Sequence, residues 1–218
     1  MSDTVAPRLA ALDGLRGWAA LLVVVFHMSW ELFGTVFPSF HVPLLAGLLN
    51  GDLTVSIFFA LSGYVLTRHR WGRNDNPNII STLLRRYMRL ELPILASVAV
   101  VLVLMLLGLN FAAPIGPLIH RVEWLETFTA VRPDIDTAIR FATVDVYKFV
   151  RLNEYNPFLW TMTIELWGSV MVLAASQWPF VQRLAIIGLF AGAYYLGKFN
   201  PVGACLPAGA LLAMLESW

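Results

Sequence analysis

A histidine stands in the run LLVVVFHMSW, and an arginine precedes it by eleven positions: Arg16 and His27. On a helix, eleven steps advance ~16 Å and turn ~1100°, close to three full turns. The two side chains therefore share one face, with His27 deep among apolar neighbours and Arg16 near one end. An imidazole is costly in hydrocarbon and turns toward a bundle interior. Its neutral form can take a proton from a hydroxyl, because its unperturbed pKa of about 6.5 lies near working pH. The competing reading is a histidine bonded across helices to a backbone carbonyl. Arg16 has its own bland reading, a side chain snorkelling to lipid headgroups. Gly14 and Gly17 beside it allow a close helix approach at that end.

Three further groups carry polar chemistry into apolar sequence. Glu165 lies half-way along NPFLWTMTIELWGSVMVLAAS, and Thr161, Glu165 and Gly168 fall on one helical face. A carboxylate at that depth can orient a histidine, bind a hydroxyl, relay protons, or make a structural interhelical bond. In LLRRYMRLELP, Arg85 and Arg89 share a face with Arg86 adjoining. Guanidinium groups suit phosphate oxygens, and they also anchor helices on anionic lipid. GDLTVSIFFALSGYVLT holds Asp52, Ser56, Ser62 and Tyr64. Asp52 is placed near the outer interface, and Ser62–Gly63 reads as a small packing surface. The serine lacks the G-x-S-x-G turn of a nucleophile elbow.

The elements that must hold these residues are membrane helices. Of 218 residues, 58% are hydrophobic and 13% charged, where a soluble domain carries about 25% charged. Mean hydropathy is +0.70. Apolar runs of roughly 17–25 residues recur, long enough for a ~30 Å hydrocarbon core. They predict an all-α, polytopic transmembrane helix bundle of six spans, near 15–36, 48–67, 90–109, 157–176, 181–197 and 202–216. The N-terminus reads as leading into a retained first span, because no small-residue cleavage site follows.

Basic residues orient the bundle. Arg68, Arg70, Arg73, Arg85, Arg86 and Arg89 face one acid, Asp75, between residues 67 and 90. That loop is expected in the cytoplasm, with Arg8, Arg16 and the N-terminus beside it, and Arg183 on the same side. Residues 110–156 carry balanced charge and are expected outside, as short helices lying over the outer mouth of the bundle. A net charge of +1 gives no field for nucleic acid. The single cysteine, Cys205, forms no intrachain disulfide. His27, His41, His69 and His120 show no metal-site spacing, so no metal is expected.

In combination, LDGLRGWAALLVVVFH, VSIFFALSGYVLT, LLRRYMRLELP and NPFLWTMTIELWGSV resemble the acyltransferase-3 family of integral membrane acyltransferases. The arginine, ten residues and then the histidine of the first block are its most specific mark. The fourth block departs slightly from the family's "LWxLxxE", with Thr163 and Ile164 before Glu165. The resemblance implies transfer of an acyl group, often acetyl, from acyl-CoA to a hydroxyl of a carbohydrate, lipid or natural product. It implies His27 as the essential histidine, Arg16 as its paired arginine, and Glu165 as a third catalytic residue. Arg85, Arg86 and Arg89 match the family's basic motif and would meet the phosphates of acetyl-CoA. Glycan, lipid or other hydroxyl acceptors and membrane lipids are the implied partners, and the cell (inner) membrane the implied location.

Family members have about ten spans, so the resemblance implies that residues 1–218 are a C-terminally truncated version of that domain: a fragment, a truncated gene product or a reduced member. Two other functions compete. Mid-membrane His27 and Glu165 also fit a proton-coupled transporter or acyl-group conduit. A truncated and inactive family member is the third reading.

Overall fold

The computed structural model describes residues 10–41, 50–71, 78–126, 131–149, 155–176 and 182–217. Among them every regular element is helical. Helix α1 (Ala10–Val25) continues into a π-helical segment, Phe26–Phe33, and a last turn, Gly34–Val36. Then come α2 (Gly51–Thr67), α3 (Ile79–Leu106), α4 (Ile135–Thr143), α5 (Trp160–Ala175), α6 (Gln182–Phe199) and α7 (Cys205–Glu216). Gly14–Val36, Ile79–Leu106 and Pro157–Ala175 are long and apolar enough to cross a membrane, and three shorter apolar helices join them. The chain is thus an all-α membrane helix bundle.

Polar residues set the helix starts. Asn50 Oδ1 accepts the Leu53 N–H at 2.9 Å and opens α2. Asn78 Oδ1 accepts from Ile80 N at 3.0 Å and Ser81 N at 3.3 Å and opens α3. These are N-caps, satisfying amides the first turn leaves unpaired. The Asn78 cap corrects the expected third span. It starts at Ile79 rather than near Leu90, so Arg85, Arg86 and Arg89 lie inside the helix and not in a loop before it. Arg73, Asn74 and Asp75 of that expected loop lie outside the described residues, as do Arg8, Arg151 and Glu154.

The most extensive helix contact joins α2 to α7. A Cβ on Gly63 would sit 1.9 Å from the Leu206 carbonyl oxygen, and one on Gly209 would sit 1.9 Å from that of Ala60. The two backbones therefore touch through reciprocal glycines, the close approach that small residues permit between membrane helices. The expectation placed such an approach at Gly14 and Gly17, but among the described residues nothing lies within 4 Å of a Cβ at either. Around the α2–α7 contact, Phe59, Ile164, Val172, Leu206, Ala210 and Met214 form one buried core. A second core joins Ile94 and Val98 of α3 to Phe141, Ala142, Val146 and Tyr155.

That second core shows where the expected outer segment goes. Short helices form at Ala112–Ile115 and Val122–Glu126. The stretch from α4 to Tyr147 then packs down the flank of α3 and α5 instead of lying over the bundle's mouth. Tyr87 donates its hydroxyl to the Thr143 carbonyl at 3.2 Å, and Tyr147 donates to Glu91 Oε2 at 2.9 Å. From α5, Trp167 Nε1 reaches the Tyr147 carbonyl at 2.9 Å and Thr163 the Val146 carbonyl at 2.9 Å. Burial, with Glu91 beside it, pushes the Tyr147 phenol well above its ordinary range, so it remains a hydrogen-bond donor.

Candidate active site

His27 is the second residue of the π-helical segment. A π-helix widens the turn and is frequent at functional sites. The imidazole is half-buried and packs against two rings: Phe26, with centroids 5.2 Å apart, and Phe158, at 4.6 Å. Phe158 is held by the turn that opens α5, where Asn156 Oδ1 accepts its N–H at 3.0 Å. Asn156 Nδ2 in turn donates to Ser97 Oγ of α3 at 2.9 Å. One asparagine thus positions the ring that faces His27 and fixes the register of α5 on α3.

Two cavities meet at this histidine. The smaller, about 410 Å³, runs between α1, α2 and the start of α5, from Gly51 and Asp52 past Phe58 and Phe59 to Thr161 and Glu165. The larger, about 590 Å³, lies between Val23–Leu32 and Val101–Ala112 and is also lined by Leu125. His27, Val23 and Phe158 border both.

Glu165 stands at the deep end of the smaller cavity in a buried polar cluster. Arg86 of α3 donates from Nη2 to Glu165 Oε1 at 2.5 Å and to Ser62 Oγ of α2 at 2.9 Å. Ser62 donates its own proton to Glu165 Oε1, while Arg86 Nε donates to Ser169 Oγ and Ser169 to the Glu165 carbonyl. The Arg86 and Glu165 side chains are 12% and 3% exposed. A buried pair of this kind tolerates its desolvation only because hydrogen bonds fill the remaining positions. Glu165 Oε2 is buried and has no hydrogen-bond partner among the described residues. It is a ready acceptor for an N–H or O–H donor arriving in the cavity.

The predicted residues thus separate into groups. His27 and Glu165 share one cavity. Arg86 turns inward to Glu165, so it does not form a surface triad with Arg85 and Arg89, which stay exposed on α3. Arg85 Nε is satisfied by the Ser81 carbonyl at 3.2 Å. Arg16 lies over the Phe58 ring at 5.1 Å, within electrostatic reach of Arg86. Sequence reasoning placed the partner of Glu165 at His27 or an acceptor; the structure gives it Arg86 and Ser62. It also missed three residues. Ser169 was findable, one turn after Glu165 on the same face, and Glu31, one turn after His27, likewise. Glu31 Oε2 accepts from Arg121 Nη2 at 2.9 Å. Phe158 carried no distinguishing signal.

A family model described as an acyltransferase domain matches residues 9–216. The chain belongs to the acyltransferase-3 family. It is similar to the O-acetyltransferase PaAT-1 of Phomopsis amygdali, 37% identical over 97 residues, a match covering 38% of this chain and 20% of that one. It is also similar to the acyltransferase MdmB of Streptomyces mycarofaciens, 34% identical over 89 residues, with the same two shares. The match therefore spans about a fifth of the length of these relatives. No solved structure matches the chain.

Proposed function

We propose that this domain carries the transfer centre of a membrane-bound O-acyltransferase, moving an acyl group, acetyl by preference, from acyl-CoA to a hydroxyl. The supporting observation is that the His27 imidazole borders two cavities at once. In this reading the thioester occupies the smaller cavity and the acceptor the larger. The acceptor oxygen attacks the thioester carbonyl carbon while its proton passes to the imidazole. The new C–O bond forms, the C–S bond breaks, and the leaving thiolate takes the proton back from His27. No covalent enzyme intermediate is needed.

Arg16, Arg85, Arg86 and Arg89 would receive the phosphates of CoA, from a cytoplasmic side shared with the N-terminus. Arg86 reaches a phosphate only by giving up Glu165, and two anions then compete for one guanidinium. Glu165 Oε2 would accept a donor group of the substrate. The acceptor is a hydroxyl of a carbohydrate, lipid or natural product, and the setting is the cell membrane.

The test is the rate of label transfer from acetyl-CoA, measured beside acetyl-CoA affinity in lipid with expression matched. His27→Ala is expected to lose about 10²–10⁴-fold in rate with affinity retained, the usual contribution of a general base. Transfer at the wild-type rate would remove the mechanism.

A further inference from the structure

Resting on the reading above, we infer that the larger cavity selects an acceptor with an apolar body and a single presented hydroxyl, rather than a water-soluble sugar. Its wall is built from aliphatic and aromatic side chains of three segments: Val24 and Met28 of the first helix, Val101 and Leu104 of α3, and Leu109 and Phe111 beyond it. His27 and Asn110 are the two polar residues on it. Asn110 Oδ1 already accepts the Ala112 N–H at 3.1 Å, which holds the turn that forms the roof. The roof is tied down a second time, by the Arg121–Glu31 ion pair one helical turn beyond His27. The cavity is thus a half-open apolar recess whose polar residues are His27 and Asn110.

The chemistry of such a recess is selective. A hydroxyl beside the imidazole is satisfied, and an alkyl or ring body fills the rest by losing contact with water. A sugar brings several more hydroxyls, more than His27 and Asn110 can bond, and the rest are set against Val, Leu and Phe. An apolar pocket rejects one added hydroxyl only about a hundredfold, so the discrimination rests on a sugar bringing several at once. The recess shares Val23, His27 and Phe158 with the smaller cavity, so an acceptor lodged there and a thioester in the smaller cavity meet beside the imidazole.

The experiment has two arms, both on the full 218-residue chain in lipid nanodiscs. In the first, labelled acetyl-CoA is offered with decanol or with maltotriose, and ester formation is counted. Decanol is expected to be acetylated about a hundredfold faster or more. In the second, a diazirine-bearing decanol is photolysed without any donor, and labelled positions are compared with Phe190, an exposed position on α6 outside the cavity. Labelling is expected at Val101–Ala112 above that background, suppressed by decanol but not by decane or maltotriose. Leu104→Trp, and Leu109→Trp as a second variant on the exposed roof, are expected to cut it about tenfold by filling the space. Maltotriose acetylated as fast as decanol overturns the inference and leaves the transferase reading standing. Cavity labelling with no ester on any acceptor supports the site and removes that reading. Labelling suppressed equally by decane, or unchanged in both tryptophan variants, overturns the site itself.

Discussion

At the scale of residues, the Arg86–Glu165 pair is both a structural bond and a candidate part of the chemistry, and the two roles can be separated. Both side chains are buried, so removing one partner strands the other's charge. Glu165→Ala is expected to cost about 3–5 kcal/mol, read as thermal unfolding in detergent. Replacing both, Arg86→Met with Glu165→Leu, should recover most of that loss, since a well-packed apolar pair substitutes for a buried ion pair. The double variant should fold and yet fail to transfer. Wild-type stability in the single variant would make the pair structurally idle, and wild-type transfer in the double one would confine it to the fold. His27 and Glu165 were legible in the sequence for one reason: each stands in apolar surroundings that penalise an unsatisfied polar group. Their partners were not legible. Ser62 looked like a packing residue, because a serine that serves Glu165 across 103 positions leaves no local pattern.

At the scale of elements, α2 packs on α7 at Gly63, the residue after the Ser62 that bonds Glu165. Gly63 follows Ser62, and its missing side chain lets Leu206 approach. Gly63→Ala must push the helices apart, since the 1.9 Å contact is with backbone that cannot rotate away. A loss of about 1–3 kcal/mol is expected, the usual cost of overpacking. Gly17→Ala is the control: with open space around it, a change within about 0.5 kcal/mol is expected. Equal stability of the two variants would mean the reciprocal glycines are not in contact. The sequence pointed to helices through apolar run length, which is why the span list near 15–36, 48–67 and 157–176 needed little change. It misjudged α3, because hydropathy drops at Arg85–Arg89 while the helix continues back to its Asn78 cap. A charged stretch at a membrane helix end and a charged loop read alike from composition; only the cap distinguishes them.

At the scale of the whole molecule, α3 sets the frame against which the other parts are levelled. Its 28 residues span ~42 Å, more than the ~30 Å of hydrocarbon, so part of it stands in an interface or in water. Glu165 meets Arg86, and Asn156 meets Ser97, so α5 runs antiparallel beside the middle of α3. The stretch from α4 to Tyr147 reaches down to the level of Tyr87 and Glu91. This depth was invisible in the sequence, where balanced charge over residues 110–156 indicated only an aqueous location. Asp136 and Arg140 on the open face of α4 are exposed, and charges so placed are costly in lipid. We propose on this ground that the flank of α3 that α4 covers borders water from the side that α3 enters with its Leu106 end. From the basic residues we propose that the opposite end, with Arg68 and Arg70 after α2, faces the cytoplasm. Both assignments are tested by single cysteines placed after Cys205→Ala. An impermeant maleimide added to sealed cells should label Asp136→Cys and Arg140→Cys, and should label His69→Cys only once the membrane is opened. Labelling of His69→Cys from outside would invert the orientation. Protection of both α4 cysteines from outside, with labelling only from within, would place the α4 flank on the arginine side and move the acceptor cavity to the same face as the donor.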